Sequence, residues 1–131
     1  MSDPSLPLQG ALVALLKPIA LAAGARVYDR VPESYSFPYV AFGPSDASPT
    51  DEDCFDATET LLQIDVWSDG VGFPEVKRIA GVLREALHDQ PLTIEGHVCD
   101  RMSVRTIVTS RDANGLWSRA RIELLVVTQP A

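Results

Sequence analysis

Apolar and polar residues follow two rhythms along this chain, and the two stand side by side between Leu61 and Leu87. Leu62, Ile64 and Val66 alternate with Gln63, Asp65 and Trp67, the alternation of a strand with one buried face. Ser68-Asp69-Gly70 interrupts it, with Gly72 and Pro74 close behind. A helix follows. Val76, Ile79, Ala80, Leu83, Ala86 and Leu87 fall on one stripe, while Glu75, Lys77, Arg78, Arg84 and Glu85 take the opposite face. Each element has an apolar side to cover, and each is the other's nearest partner.

The rest of the chain adds strands and one more helix to this unit. Met1 to Gly24 predicts a helix, capped by Ser2 or Asp3, with Pro4 in its first turn and Gly24 at its end. Leu8, Ala11, Leu12, Leu15 and Leu16 form its buried stripe, and Pro18 is expected to kink or divide it. Arg26 to Val31 is a short strand ended by Pro32, and Glu33 to Phe37 is a polar-aromatic loop. Pro38 opens a second strand, Tyr39 to Phe42, whose leading proline suits an edge. Gly43 to Phe55 reads as the longest irregular segment, and Asp56 to Trp67 is the third strand. Past the helix ending at His88, strands His97 to Ser110 and Leu116 to Thr128 form a long hairpin through Asn114-Gly115. Val98, Met102, Val104, Thr106 and Val108 share one parity in the first of these, broken by Asp100. Ala120, Ile122, Leu124 and Val126 point inward in the second. The pattern predicts one α+β domain spanning residues 1–131, with two helices on one face of a mostly antiparallel sheet of about five strands.

Composition narrows the partners. The 131 residues are 46% hydrophobic and 22% charged, proportions of a folded domain with a real core. Eighteen acids against eleven bases give a net charge of -7, which argues against general nucleic-acid binding. The apolar N-terminal region lacks a basic leader and is cut by Lys17-Pro18, so neither a signal peptide nor a membrane span is expected. Cys54 and Cys99 are far apart and form no metal-ligand pair, so two reduced thiols are expected.

Catalytic signatures are missing. His88 stands at a helix end, where the helix dipole accounts for it, and His97 at a strand start. There is no nucleophile elbow or phosphate-binding glycine loop, and Gly70-Val71-Gly72 reads as a turn. No cofactor or metal is expected, and no catalytic residue is assigned. The acids Asp46, Asp51, Glu52, Asp53 and Asp56 crowd the predicted irregular segment without the residue order of a calcium loop. They are either a solvated loop or an acidic surface facing a partner or a lumen. Trp67 and Trp117 are expected either to form a binding surface or to cover sheet or interface area.

The order of these signals resembles the tail-completion, or tail-terminator, proteins of long-tailed phages, prophages and phage-like gene transfer agents. The resemblance is carried by RVYDRVP, the proline-led PYV strand, the VWS end of the third strand, the Leu/Ala helix ending in LHD, and the D-x-x-G turn before the last strand. It spans residues 8–128. It implies a non-enzymatic part: a homo-oligomeric, hexameric ring on the last ring of the tail tube. That ring stops tube growth and gives the head-side connector or stopper a docking face, with DNA only in transit and no membrane partner. The implied place is the head–tail junction of a particle assembled in the bacterial cytoplasm. In such a ring Tyr28, Tyr35 and Phe37 are candidate subunit anchors, the alternative being that they belong to the core. Asp46, Asp51, Glu52, Asp53 and Asp56 are candidates for the lumen or a partner-facing surface. A neighbouring connector or stopper protein is the alternative within the same machinery. A small cytosolic enzyme using carboxylates is the alternative from another class.

Overall fold

The computed structural model describes residues 3–50 and 56–131. Its elements in order are α1 (Ser5–Ala22), β1 (Arg26–Tyr28), β2 (Tyr39–Thr50), β3 (Ala57–Ser68), α2 (Pro74–Leu87), β4 (Thr93–Ile94), β5 (His97–Arg111) and β6 (Ser118–Pro130). The strands make one sheet in the order β1-β2-β3-β6-β5-β4. All neighbours run antiparallel except β1 and β2. The expected α+β architecture is therefore present with six strands, the extra one being the two-residue β4.

The helices pack on one face of this sheet. Val76, Ile79, Ala80, Leu83 and Leu87 of α2 are buried, the stripe that the spacing predicts except for Ala86, which is half-buried. They meet Leu62, Ile64 and Val66 of β3 and Ala120, Ile122, Leu124 and Val126 of β6 in one continuous core. Each such aliphatic side chain taken out of water contributes about 1.5–3 kcal/mol before the entropy of ordering is charged against it.

In α1 the buried residues are Leu8, Leu12, Leu16 and Ala20, with Ala11, Leu15 and Ile19 only partly covered. The helix runs unbroken through Pro18, contrary to the expected kink or division. Pro18 and Ala14 both face solvent, so the carbonyl deprived of its usual N–H partner lies on the wet side of the helix. By length and composition α1 is apolar enough to cross a membrane, which the sequence reading did not anticipate, yet its Leu8, Leu12, Leu16 and Ala20 face are committed to the core.

β2 is also longer than expected. Segment 43–50, predicted to be irregular, continues the strand, pairing Ser45↔Leu62 through Thr50↔Ala57. A bulge at Gly43-Pro44 shifts the register between Phe42 and Ser45. Pro38 does not mark a sheet edge, because β1 lies outside β2 and Arg26 N–H donates to Pro38 O at 3.4 Å.

The β5–β6 hairpin forms as expected, but the parity along β5 changes twice. Register shifts between Cys99 and Arg101 and between Val104 and Thr106 leave Asp100 and Arg105 as extra residues. Met102, Val104 and then Ile107 point to the core, while Val98 and Val108 are exposed. At the turn, Asp112 N–H donates to Trp117 O at 2.8 Å, and Gly115 adopts a φ of 72°.

Hydrogen bonds lock the junction between β3 and α2. The Ser68 hydroxyl donates to Glu75 Oε1, and Gly70 N–H donates to Ser68 Oγ at 2.9 Å. Ser118 Oγ donates to Gly72 O at 3.0 Å, tying the same loop to the start of β6. Both helices are fastened too. Arg78 Nη2 donates to Ala23 O at 3.2 Å, joining α2 to the end of α1. Val104 N–H donates to His88 Nδ1 at 3.1 Å, joining the end of α2 to β5.

Candidate functional site

Two regions outside the helix-covered core collect the residues singled out in the sequence, and they lie at opposite ends of the strands. At the first, the β1–β2 loop, the start of β2 and the β5–β6 turn converge. Tyr39 is the hub. Its ring lies 5.6 Å from Tyr28 and 5.4 Å from both Tyr35 and Phe37. Phe37 continues the chain of rings to Trp117 at 5.2 Å, and Tyr35 meets Phe37 edge-on at 5.4 Å. The candidate anchors Tyr28, Tyr35 and Phe37 are thus brought together, with Tyr39 and Trp117, into one cluster separate from the aliphatic core. Tyr35 is exposed, and Tyr28, Phe37 and Trp117 are partly buried. Burial, reinforced by Tyr35 and Asp112, raises the Tyr39 phenol above its ordinary value.

This cluster borders the sheet face opposite the helices. The even residues of β3 point to the core, so Asp65 and Trp67 point to the other side. Asp65 sits directly across from Arg121 and takes two hydrogen bonds from it, at 2.9 Å and 3.3 Å. Asp65 is 7% exposed, and that bidentate bond raises the Arg121 pKa further. Arg119 stacks over Trp67 at 5.3 Å. The sequence reading missed this ion pair, because its two halves are far apart in sequence and only the β3–β6 register joins them. A charge inside the Leu62–Val66 strand pattern was the one available hint.

The second region is the other end, where β2 and β3 meet the start of α1. Asp46 is on the exposed open half of β2 rather than in a loop, and Asp56 is exposed just before β3. These two do stand at the same end of the sheet. Asp51, Glu52, Asp53 and Cys54 lie outside the described residues. A recess of about 330 Å³ opens here, lined by residues that include Asp3, Pro49, Asp56, His97 and Thr128. Thr128 is 1% exposed and its Oγ1 has no hydrogen-bond partner. Asp3 accepts Ser5 N–H at 2.9 Å, and that bond lowers its carboxyl below the usual range.

The described residues hold no cluster of three or more metal-ligating side chains. Asp65 is the single buried carboxylate among them, and Arg121 engages it. His88 is occupied by the β5 backbone and lies 3.3 Å from Asp89, while His97 is buried beside Glu95 O at 3.0 Å. Cys99 is a free thiol, and burial raises its pKa.

Comparison with known proteins completes the picture. No curated protein sequence matches the chain. Among solved structures, a chain from the virion of a native gene transfer agent particle superposes with a TM-score of 0.88 at 21% identity, covering 98% of this chain and 99% of that one. The bacteriophage SPP1 gp17 protein superposes with a TM-score of 0.56 at 23% identity, covering 93% and 88%. At these identities the likeness establishes the fold. The family model of tail completion protein gp17 matches residues 10–129. The chain therefore belongs to the tail completion protein gp17 family, and its role is that of a phage tail terminator.

Proposed function

We propose that this protein closes the tail tube as a ring of identical copies, hexameric as the family resemblance implies. The ring stops tube growth, receives the head-side connector and leaves a channel through which DNA passes. The observation that supports this reading is the match to the tail completion protein gp17 family over residues 10–129. The part is structural, not enzymatic.

Self-association of this kind needs two unlike surfaces per copy that close by rotation. The aromatic cluster supplies one. Tyr35 and Phe37 are stiff, large and partly uncovered, and Tyr28 and Trp117 extend the patch. Asp46 and Asp56 stand on solvent at the other end, in position to meet a partner or a passing duplex. The net charge of -7 keeps the phosphate backbone from adhering during transit.

The test is capture on tube ends. Purified tail tubes are mixed with the protein and imaged by negative stain. Closed rings on one end, and arrest of further tube growth, are the expected result. Binding to the isolated connector without binding to tube ends would instead identify a stopper. Binding to neither would defeat the proposal.

A further inference from the structure

The net negative charge is not spread evenly along the strands. At the recess end stand Asp3, Asp46, Asp56, Glu59, Glu95 and Asp100, with Arg101 and His97 beside them. At the aromatic end Arg26, Arg30, Lys77, Arg78, Arg111 and Arg119 stand against Asp29, Glu33, Asp69, Glu75 and Asp112, while Asp65 and Arg121 are paired with each other. Each copy is therefore polarised along its strands, with unlike ends.

The two ends also differ in shape. Exposed apolar tips stand at both: Val71 is 99% exposed in the β3–α2 loop and Leu116 72% at the β5–β6 turn of the aromatic end, and Leu6 is 79% exposed in the first turn of α1 at the other. The acidic end is concave. Besides the recess over Thr128, a second one of about 250 Å³ lies between α1 and the sheet, with Leu8, Leu12 and Leu62 in its walls. Thr60 lines it, and the Thr60 hydroxyl, like that of Thr128, is buried without a hydrogen-bond partner. A buried hydroxyl left unpaired costs its desolvation with no return, unless an incoming group completes it.

The sheet edges are poor alternatives for self-association. The open half of β2 carries Pro44 and Pro49 and a bulge, and β5 carries two bulges with Arg101 and Arg105. Prolines, bulges and charges are what keep exposed edges from pairing.

Resting on the ring reading, we propose that the copies join end to end. The β5–β6 turn of one copy, with Leu116 and Arg111, seats on the acidic end of the next, over Asp56 and the Thr128 hydroxyl. The occupant of the recess is a second copy of this chain. The contact is heterologous, so it leaves a free end at each step and closes only as a ring. Charge complementarity sets the register, and the apolar tip and the completed hydroxyl provide the buried centre.

The test is sedimentation velocity across a concentration series at low salt, with circular dichroism confirming that each variant is folded. Arg111→Glu alone and Asp56→Arg alone are each expected to weaken association about tenfold. Both changes on one chain restore it, because each reversed end then meets its reversed partner. Thr128→Val weakens association without touching charge, and Asp46→Arg serves in place of Asp56→Arg should that variant misfold. Single reversals without effect, a double variant no better than the singles, or a wild-type chain that stays monomeric throughout would overturn the inference. Tube capping is measured in parallel. Capping by every variant alike sinks the end-to-end contact and leaves the terminator role standing, whereas absence of capping by the wild type sinks the ring reading itself.

Discussion

The two faces of the sheet are built on different principles. The face under the helices is aliphatic along its middle, where Ile64, Ile122, Leu124 and Val66 are fully buried. The opposite face carries an ion pair, a stacked guanidinium and five linked aromatic rings. The first face gains stability from area alone, and any well-filled aliphatic packing would serve. The second depends on named partners in fixed register, so its residues carry the information about what the protein touches.

Substitutions on the two faces separate these roles. Ile122→Ala, which opens a cavity between β3, β5 and α2, is expected to lower the unfolding free energy by about 3 kcal/mol in denaturant titration. Asp65→Ala leaves the Arg121 guanidinium without its partner. The expected loss is about 2 kcal/mol, discounted because Arg121 is partly solvated. Replacing both residues by apolar ones should recover most of that loss; no recovery would show that the pair fixes register rather than merely balancing charge. Phe37→Ala removes ring contacts worth about 1 kcal/mol to the single chain, and the same variant should abolish ring formation on tube ends. Equal effects on stability and assembly would break the distinction between the faces. Thr128→Val, which deletes an unpaired hydroxyl, is expected to stabilise the isolated chain by up to about 1 kcal/mol in thermal unfolding.

The smallest effect is one of pH. The Tyr39 pKa is raised in the folded chain, so its contribution to stability is fully present below the ordinary tyrosine value of 10.0 and is lost as pH rises through the folded value. Tyr39→Phe should flatten the stability profile above pH 10.0 and leave it unchanged at neutrality.

Much of the fold was legible because it rests on periodicity. The α2 stripe and the inward residues of β6 appear in the sequence as they do in the structure. Three features were hidden, each for a physical reason. The second half of β2 is held by backbone pairing while Ser45 to Pro49 face water, so no alternation of apolar residues betrays it. The parity of β5 is reset by bulges that only the partner strand defines. The helix α1 is apolar nearly all round, so the predicted stripe found Leu8, Leu12 and Leu16 but included the half-covered Ala11 and Leu15, missed Ala20, and did not place Pro18 on the wet side. Of the candidate site, the aromatic cluster was legible as a crowd of rings around one loop, but Tyr39 as its hub was not. Asp46 and Asp56 were read as either part of a solvated loop or an acidic surface, whereas their place opposite a more basic end follows only from the strand directions.

The strand order carries a consequence for how the chain is made. β3 sits between β2, its immediate predecessor, and β6, which is synthesised after three intervening elements. Until β6 arrives, β3 has one unpaired side and α2 has only half its floor. Closing that gap is a contact between distant parts of the chain, the kind that slows folding. Ser118 then fastens to the loop at Gly72 as β6 docks. A chain released before β6 would lack its central pairing and half the floor beneath α2, so only copies with β6 in place would be fit to enter a ring.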